Sequence, residues 1–102
     1  MIVVRTVIQA QFGKGGEVAA NMARSIGPMM DELGQHRKWR VMTDLSGPFD
    51  TVVLEVDAND LAEWERVRPK LFQTKAFGES MGRVQGLQVS GHNEFYTVEG
   101  EG

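Results

Sequence analysis

Apolar residues along this chain alternate between a two-residue period and a helical one, and the order of those changes specifies an architecture. Ile2 to Ala10 reads as a strand. Ile2, Val4, Thr6 and Ile8 fall on one face, and Val3, Arg5, Val7 and Gln9 on the other. Neither face is simply polar, so both are expected to be at least partly covered. Gly13-Lys14-Gly15-Gly16 breaks the strand and leads into a helix over Glu17 to Leu33. There Val18, Met22, Ile26, Met29 or Met30, and Leu33 recur at spacings of three and four. Gly34 supplies the C-terminal cap. Gly27-Pro28 lies inside the pattern and predicts a kink or a split.

Arg37 to Thr43 and Thr51 to Asp57 read as the next two strands, joined by the turn-rich loop Asp44 to Asp50. Asp60-Leu61-Ala62-Glu63 opens a second helix in the manner of a capping box. Leu61, Trp64, Val67 or Arg68, and Leu71 form its inward stripe, interrupted late by Pro69. Arg83 to Ser90 reads as a fourth strand. Gly91 permits a bend before a last strand at 94–99. The order β-α-β-β-α-β predicts an α+β, ferredoxin-like domain with an antiparallel four-stranded sheet and an extra C-terminal strand. A single domain spans 1–102, with a first half at 1–44 and a second at 50–90.

Two helices on one face of such a sheet leave the other open. The open face is expected to carry Val3, Arg5, Val7, Gln9, Lys38, Arg40, Met42, Val53 and Glu55. Three valines and a methionine facing water form the kind of apolar patch that marks an interface. A second copy related by a two-fold axis is the simplest cover, which predicts a homodimer through the open sheet face.

Composition narrows the chemistry. The absence of cysteine excludes disulfides, thiolate catalysis and cysteine-held metals. The net charge of −3, with both signs dispersed, argues against nucleic acid as a partner; the one basic cluster is His36-Arg37-Lys38-Trp39-Arg40. That cluster reads as a basic strand edge around a buried Trp39. The first residues run directly into a strand pattern without the features of a secretion signal, and no segment has the apolar length of a membrane span. A cytoplasmic protein with no membrane association is the expectation.

Several local motifs carry a resemblance. They are Gly13-Lys14-Gly15-Gly16 before the first helix, Leu45-Ser46-Gly47-Pro48-Phe49 in the hairpin, Leu61-Ala62-Glu63-Trp64 opening the second helix, and Glu94-Phe95-Tyr96-Thr97-Val98 near the end. Together with the element order, they make nearly the whole chain resemble the dimeric α+β barrel superfamily. That superfamily includes antibiotic-biosynthesis-type monooxygenases, haem-degrading enzymes and NIPSNAP-like proteins. The last two motifs look more NIPSNAP-like. The resemblance implies pairing as a dimeric α+β barrel and a ligand cavity between sheet and helices.

Gly13-Lys14-Gly15-Gly16 lacks the spacing of a phosphate-binding loop and reads as a tight turn. His36 and His92, even with Glu94, do not make a metal set, so no metal and no cofactor is expected. His92 is a candidate general base if the Gly91 bend turns it into a cavity. Arg40 and Glu55, with Arg5, could bind and deprotonate a substrate, or form an interfacial ion-pair network, the favoured reading. Trp64, Trp39, Met22, Ile26, Phe72 and Tyr96 are the candidate ligand-binding residues, with Phe77 alongside; Asn21 is a further hydrogen-bond donor.

Haem-degrading relatives use a strand-one Asn, a helix-two Trp and a nearby His. Here Trp64 alone answers that pattern. The expected function is binding of a small apolar or aromatic molecule between sheet and helices. The alternative is a cofactor-independent monooxygenase or isomerase acting on a small aromatic or polyketide-like substrate. A third class is a small subunit that docks another protein through the loop around Phe49.

Overall fold

The two-residue alternation of the first segment places it in the middle of a sheet, where both faces can be covered. A computed structural model describes residues 1–102 as β1 (Ile2–Ala10), α1 (Gly15–Leu33), β2 (Trp39–Thr43), β3 (Thr51–Ala58), α2 (Leu61–Phe72), α3 (Lys75–Arg83) and β4 (Gln88–Thr97). The strands form one sheet in the order β2-β3-β1-β4, antiparallel throughout, which is the ferredoxin-like arrangement. The register sorts the side chains. Val4 lies opposite Val56 and Ile8 opposite Val52 on the helix side, while Arg5 opposes Glu55 and Val7 opposes Val53 on the open side.

The helix side holds the core. Val4, Val56, Ala58, Ile26, Met29, Met30 and Trp64 form one buried cluster. Ile8, Ala10, Val18, Val52 and Val84 form a second toward the other end of β1. The helices lie over β1, β2 and β3, and neither they nor α3 pack substantially on β4. Gly91, Asn93 and Phe95, which share a face with the core residues of β1, therefore remain exposed.

The lead-in to α1 is held from a distance. The Asp50 carboxylate accepts the backbone N–H groups of Gly13 at 2.8 Å and of Gly15 at 2.9 Å. A side chain at residue 15 would sit 2.9 Å from the Asp50 Cα, so only glycine fits there. The expected tight turn is present, and Asp50 occupies the place a bound anion would take at this helix start. At the other end Gly34 caps α1 in the left-handed region, with φ 63°.

Several sequence expectations need correction. α1 does not split at Pro28 but continues as one helix, and α2 runs through Pro69. A proline removes one helical hydrogen bond, but buried Ile26, Met29 and Met30 hold the α1 turn on both sides. α3 was not anticipated, because Gly78 and Gly82 dilute its helical propensity. Its start is fixed by the Thr74 Oγ1, which accepts from Phe77 N at 3.1 Å. Glu32 of α1 adds to this by accepting from Lys75 N at 2.8 Å and Ala76 N at 2.7 Å.

Arg83 consequently ends a helix, and the fourth strand begins at Gln88 rather than Arg83. The strand expected at 94–99 is its continuation: β4 passes straight through Gly91 to Thr97. The irregularity sits earlier, where the register steps from Gln9–Ser90 to Ala10–Gln88 and leaves Val89 as the extra residue. Trp39, expected to be buried, is half-buried on the edge strand β2.

Candidate functional site

The uncovered inner side of β4 opens into a cavity of about 380 Å³ between the helices and the sheet. Its apolar wall comes from Met22, Ile26, Met29 and Met30 of α1, Leu54 and Val56 of β3, Trp64, Leu71 and Phe72 of α2, and Phe77 of α3. Phe72 and Phe77 stack with ring centres 4.9 Å apart across the α2–α3 junction. The volume lies within the range that encloses small organic ligands.

The polar groups around this cavity fall into two kinds. Between α1 and α3 they satisfy one another. Asn21 Nδ2 donates to Ser80 Oγ at 2.9 Å, Ser25 Oγ donates to the Asn21 carbonyl at 2.6 Å, and Arg83 Nε donates to Asn21 Oδ1 at 2.7 Å. Thr6 Oγ1 likewise donates to Asn93 Oδ1 at 2.8 Å.

On and beside α2 donors are left over. Trp64 is buried, and its indole Nε1 has no partner; the buried Nε of Arg37 has none either. The rest of the Arg37 guanidinium donates to Glu63 Oε1 at 2.5 Å and Gln35 Oε1 at 3.0 Å. Arg37, and secondarily the Asn59 backbone N–H, hold the Glu63 carboxyl below the usual glutamate range. Arg68, one turn along α2 from Trp64, lies 4.8 Å over the Phe72 ring and pairs with no carboxylate. No Asp or Glu lines the cavity.

Of the sequence-predicted ligand-binding residues, Trp64, Met22, Ile26 and Phe72 come together here, with Phe77 and Asn21. Trp39 and Tyr96 do not. Trp39 packs on the core from the sheet edge, outside the cavity wall. Tyr96 lies opposite Val3, and that parity turns it onto the open face. His92 borders the mouth, but with β4 straight at Gly91 its ring is hydrogen-bonded to Glu94 rather than turned inward. Arg37 and Arg68 were not singled out as ligand contacts. The signal for Arg68 was its place four residues after Trp64.

The open face carries a different construction. Arg40 Nε lies 2.8 Å from Glu55 Oε1, and Arg5 NH1 lies 3.7 Å from Glu55 Oε2. Arg5 Nε lies 3.6 Å from Glu94 Oε1. Charges thus alternate from β2 through β3 and β1 to β4. Glu94 also holds His92 Nε2 at 2.9 Å and the Tyr96 hydroxyl at 2.9 Å. The His92 bond, then the Tyr96 bond, lowers the Glu94 pKa; the bond to Glu94 raises that of Tyr96. His36 stands apart, 3.9 Å from Asp31, and no group of three or more acidic, histidine or cysteine side chains is placed to hold a metal. At the far end Phe12 and Phe49 meet edge to face, 6.1 Å apart and exposed.

No protein-family model matches the chain, and no curated protein matches it in sequence. Solved structures do match its shape. A NIPSNAP domain protein from Burkholderia xenovorans superposes with a TM-score of 0.78 at 16% identity, over 96% of this chain and 94% of that one. A NIPSNAP family protein from Agrobacterium tumefaciens gives 0.76 at 17% identity, over 94% and 90%. A protein from Nitrosomonas europaea, provisionally assigned as an antibiotic biosynthesis monooxygenase, gives 0.70 at 10% identity, over 97% and 99%. The fold of this chain is therefore the one shared by NIPSNAP domain proteins and antibiotic-biosynthesis-monooxygenase-like proteins, as its sequence motifs implied.

Proposed function

We propose that this protein binds a small, largely apolar molecule in the cavity between α1, α2, α3 and the sheet, and that it works as a homodimer joined through the open sheet face. The observation that carries the first part is the unpartnered indole N–H of Trp64 in a methionine- and aromatic-lined cavity. A buried donor without an acceptor costs about 1–3 kcal/mol, and a ligand oxygen that reaches it through a small adjustment of the cavity wall recovers that cost.

The second part rests on the open face, where Val3, Val7 and Met42 flank the ladder of charges, each only half-buried in the single chain. A mutually paired ladder can enter an interface without leaving a charge uncompensated. A catalytic reading, cofactor-independent oxygenation, draws support from the monooxygenase-like fold neighbour. Against it, no Asp or Glu lines the cavity and the His92 ring is bonded to Glu94. Binding without chemistry at the protein's own side chains is the better reading.

The experiment is titration with the neutral apolar dye N-phenyl-1-naphthylamine. One saturable site per chain is expected, lost in Met22→Trp, where a larger side chain fills the cavity, while thermal unfolding stays cooperative. Absence of a saturable site in the unmodified protein contradicts the reading.

A further inference from the structure

The cavity is asymmetric in charge, and the asymmetry selects a ligand class. The chain as a whole has more acidic than basic residues, 14 against 11. The cavity wall reverses this: its charged members are Arg37 and Arg68, with no carboxylate among them. Arg37 is engaged by Glu63 from outside but keeps a buried, unpartnered Nε–H. Arg68 has no ionic partner and is held over the Phe72 ring. Trp64, one turn before Arg68 on the same helix, holds a third unpartnered donor, buried in the cavity wall. At the α1–α3 side, by contrast, Asn21, Ser25 and Ser80 are already bonded to one another and to Arg83.

Resting on the binding reading above, we infer that the ligand is an organic anion: an apolar body with one compact acidic head, carboxylate or sulfonate in kind. Its head lies along α2 beside Trp64 and Arg68, and its body lies against the methionines of α1. An anion taken from water needs donors and positive charge to replace its hydration. This end of the cavity offers both and holds no acidic side chain to repel it. A neutral apolar molecule would leave the same donors unanswered. A cation would meet Arg68 with nothing to offset it.

The test compares two probes with one aromatic skeleton: 1-anilinonaphthalene-8-sulfonate, an anion, and N-phenyl-1-naphthylamine, which lacks the sulfonate. The anion is expected to displace the neutral dye at one site per chain and to bind about tenfold tighter, the scale of one charge-assisted hydrogen bond. Arg68→Gln, at an exposed position, should bring the two affinities together by weakening the anion more than the neutral dye. Trp64→Phe, which keeps a ring but removes the N–H, should narrow the gap as well. Decanoate should displace the anionic probe where decanol does not. Equal affinities for the two dyes, a preference for the neutral one, or a preference undiminished in both variants overturns the inference while leaving the binding reading intact. Failure of both dyes to bind removes the reading itself.

Discussion

The two faces of one sheet differ in how their cations meet counter-charges. On the open face, Arg40, Glu55, Arg5 and Glu94 alternate in sign across all four strands, and each cation has a carboxylate within 4 Å. On the helix side, Trp64 Nε1 and Arg37 Nε are buried with no acceptor, and Arg68 has no counter-charge. The open face also holds one buried donor without a hydrogen-bond acceptor, Arg5 Nε, but Glu94 faces it at 3.6 Å, whereas Arg68 and Trp64 on the other side face no carboxylate. Charges paired across strands suit a surface that meets another protein surface; donors without counter-charges in a lined cavity suit a site that receives a smaller guest. The proposed reading gives assembly to one face and binding to the other.

The comparison breaks most severely by removing the helix-side anchor. Trp64→Ala deletes a buried indole from the main core cluster and should destabilise the protein by about 3–5 kcal/mol in urea unfolding. Trp64→Phe should cost markedly less. A loss below about 1 kcal/mol for the alanine variant would show that Trp64 is not packed as described. On the open face, a charge placed at the centre of the proposed dimer should be similarly severe for assembly. Val53 would be the natural choice, but it is already 7% exposed in the single chain, so a charge there damages folding as well. Val7, its half-buried neighbour across β1, separates the two effects: Val7→Asp should yield a folded monomer by light scattering. An unchanged dimer mass would refute the interface.

A smaller effect probes the junction outside both faces. Asp50→Ala removes the acceptor for two N–H groups at the start of α1 and should cost about 1–2 kcal/mol. Dye binding should survive, because Asp50 does not line the cavity. Smallest is the acid response. Glu63 and Glu94 have pKa values lowered in the folded state, so in that interval the unfolded chain binds more protons and stability rises with pH. Their contribution is complete above the ordinary value of 4.5 and is lost as pH falls through the lowered values. The melting temperature should therefore drop below pH 4.5, and less steeply in Glu63→Gln and Glu94→Gln. Parallel pH profiles for the variants and the parent would exclude these pairs as the cause.

How much of this was legible in the sequence differs between the same two faces. The open face was readable almost residue by residue, because strand periodicity of two assigns side chains to faces without knowledge of distant contacts. Arg5, Arg40, Glu55, Val7 and Met42 all fall where alternation puts them. Glu94 and Tyr96 joined them only once β4 proved continuous, since a break at Gly91 had hidden their register with Arg5 and Val3. The cavity was less legible. Trp64, Met22 and Ile26 follow from helical stripes, but Arg37 precedes its strand, and Arg68 reads only as an alternative to Val67 on the inward stripe of its helix. Their convergence depends on how α2 packs across the sheet, and α3, which closes one wall, is weakly signalled between two glycines. Asp50 was invisible for the same reason: its bond to Gly15 joins residues 35 apart.

The central claim is that the cavity beside Trp64 receives a ligand and the sheet edge at Trp39 does not. The chain has two tryptophans, so their indole N–H groups give two signals in a nitrogen–proton correlation spectrum, assigned with a Trp39→Phe variant. On titration with 1-anilinonaphthalene-8-sulfonate, the Trp64 signal should shift progressively to saturation at one equivalent per chain, as its unpartnered N–H meets an acceptor, and the Trp39 signal should stay in place. A stationary Trp64 signal with the dye bound, or movement of Trp39 alone, would contradict the account.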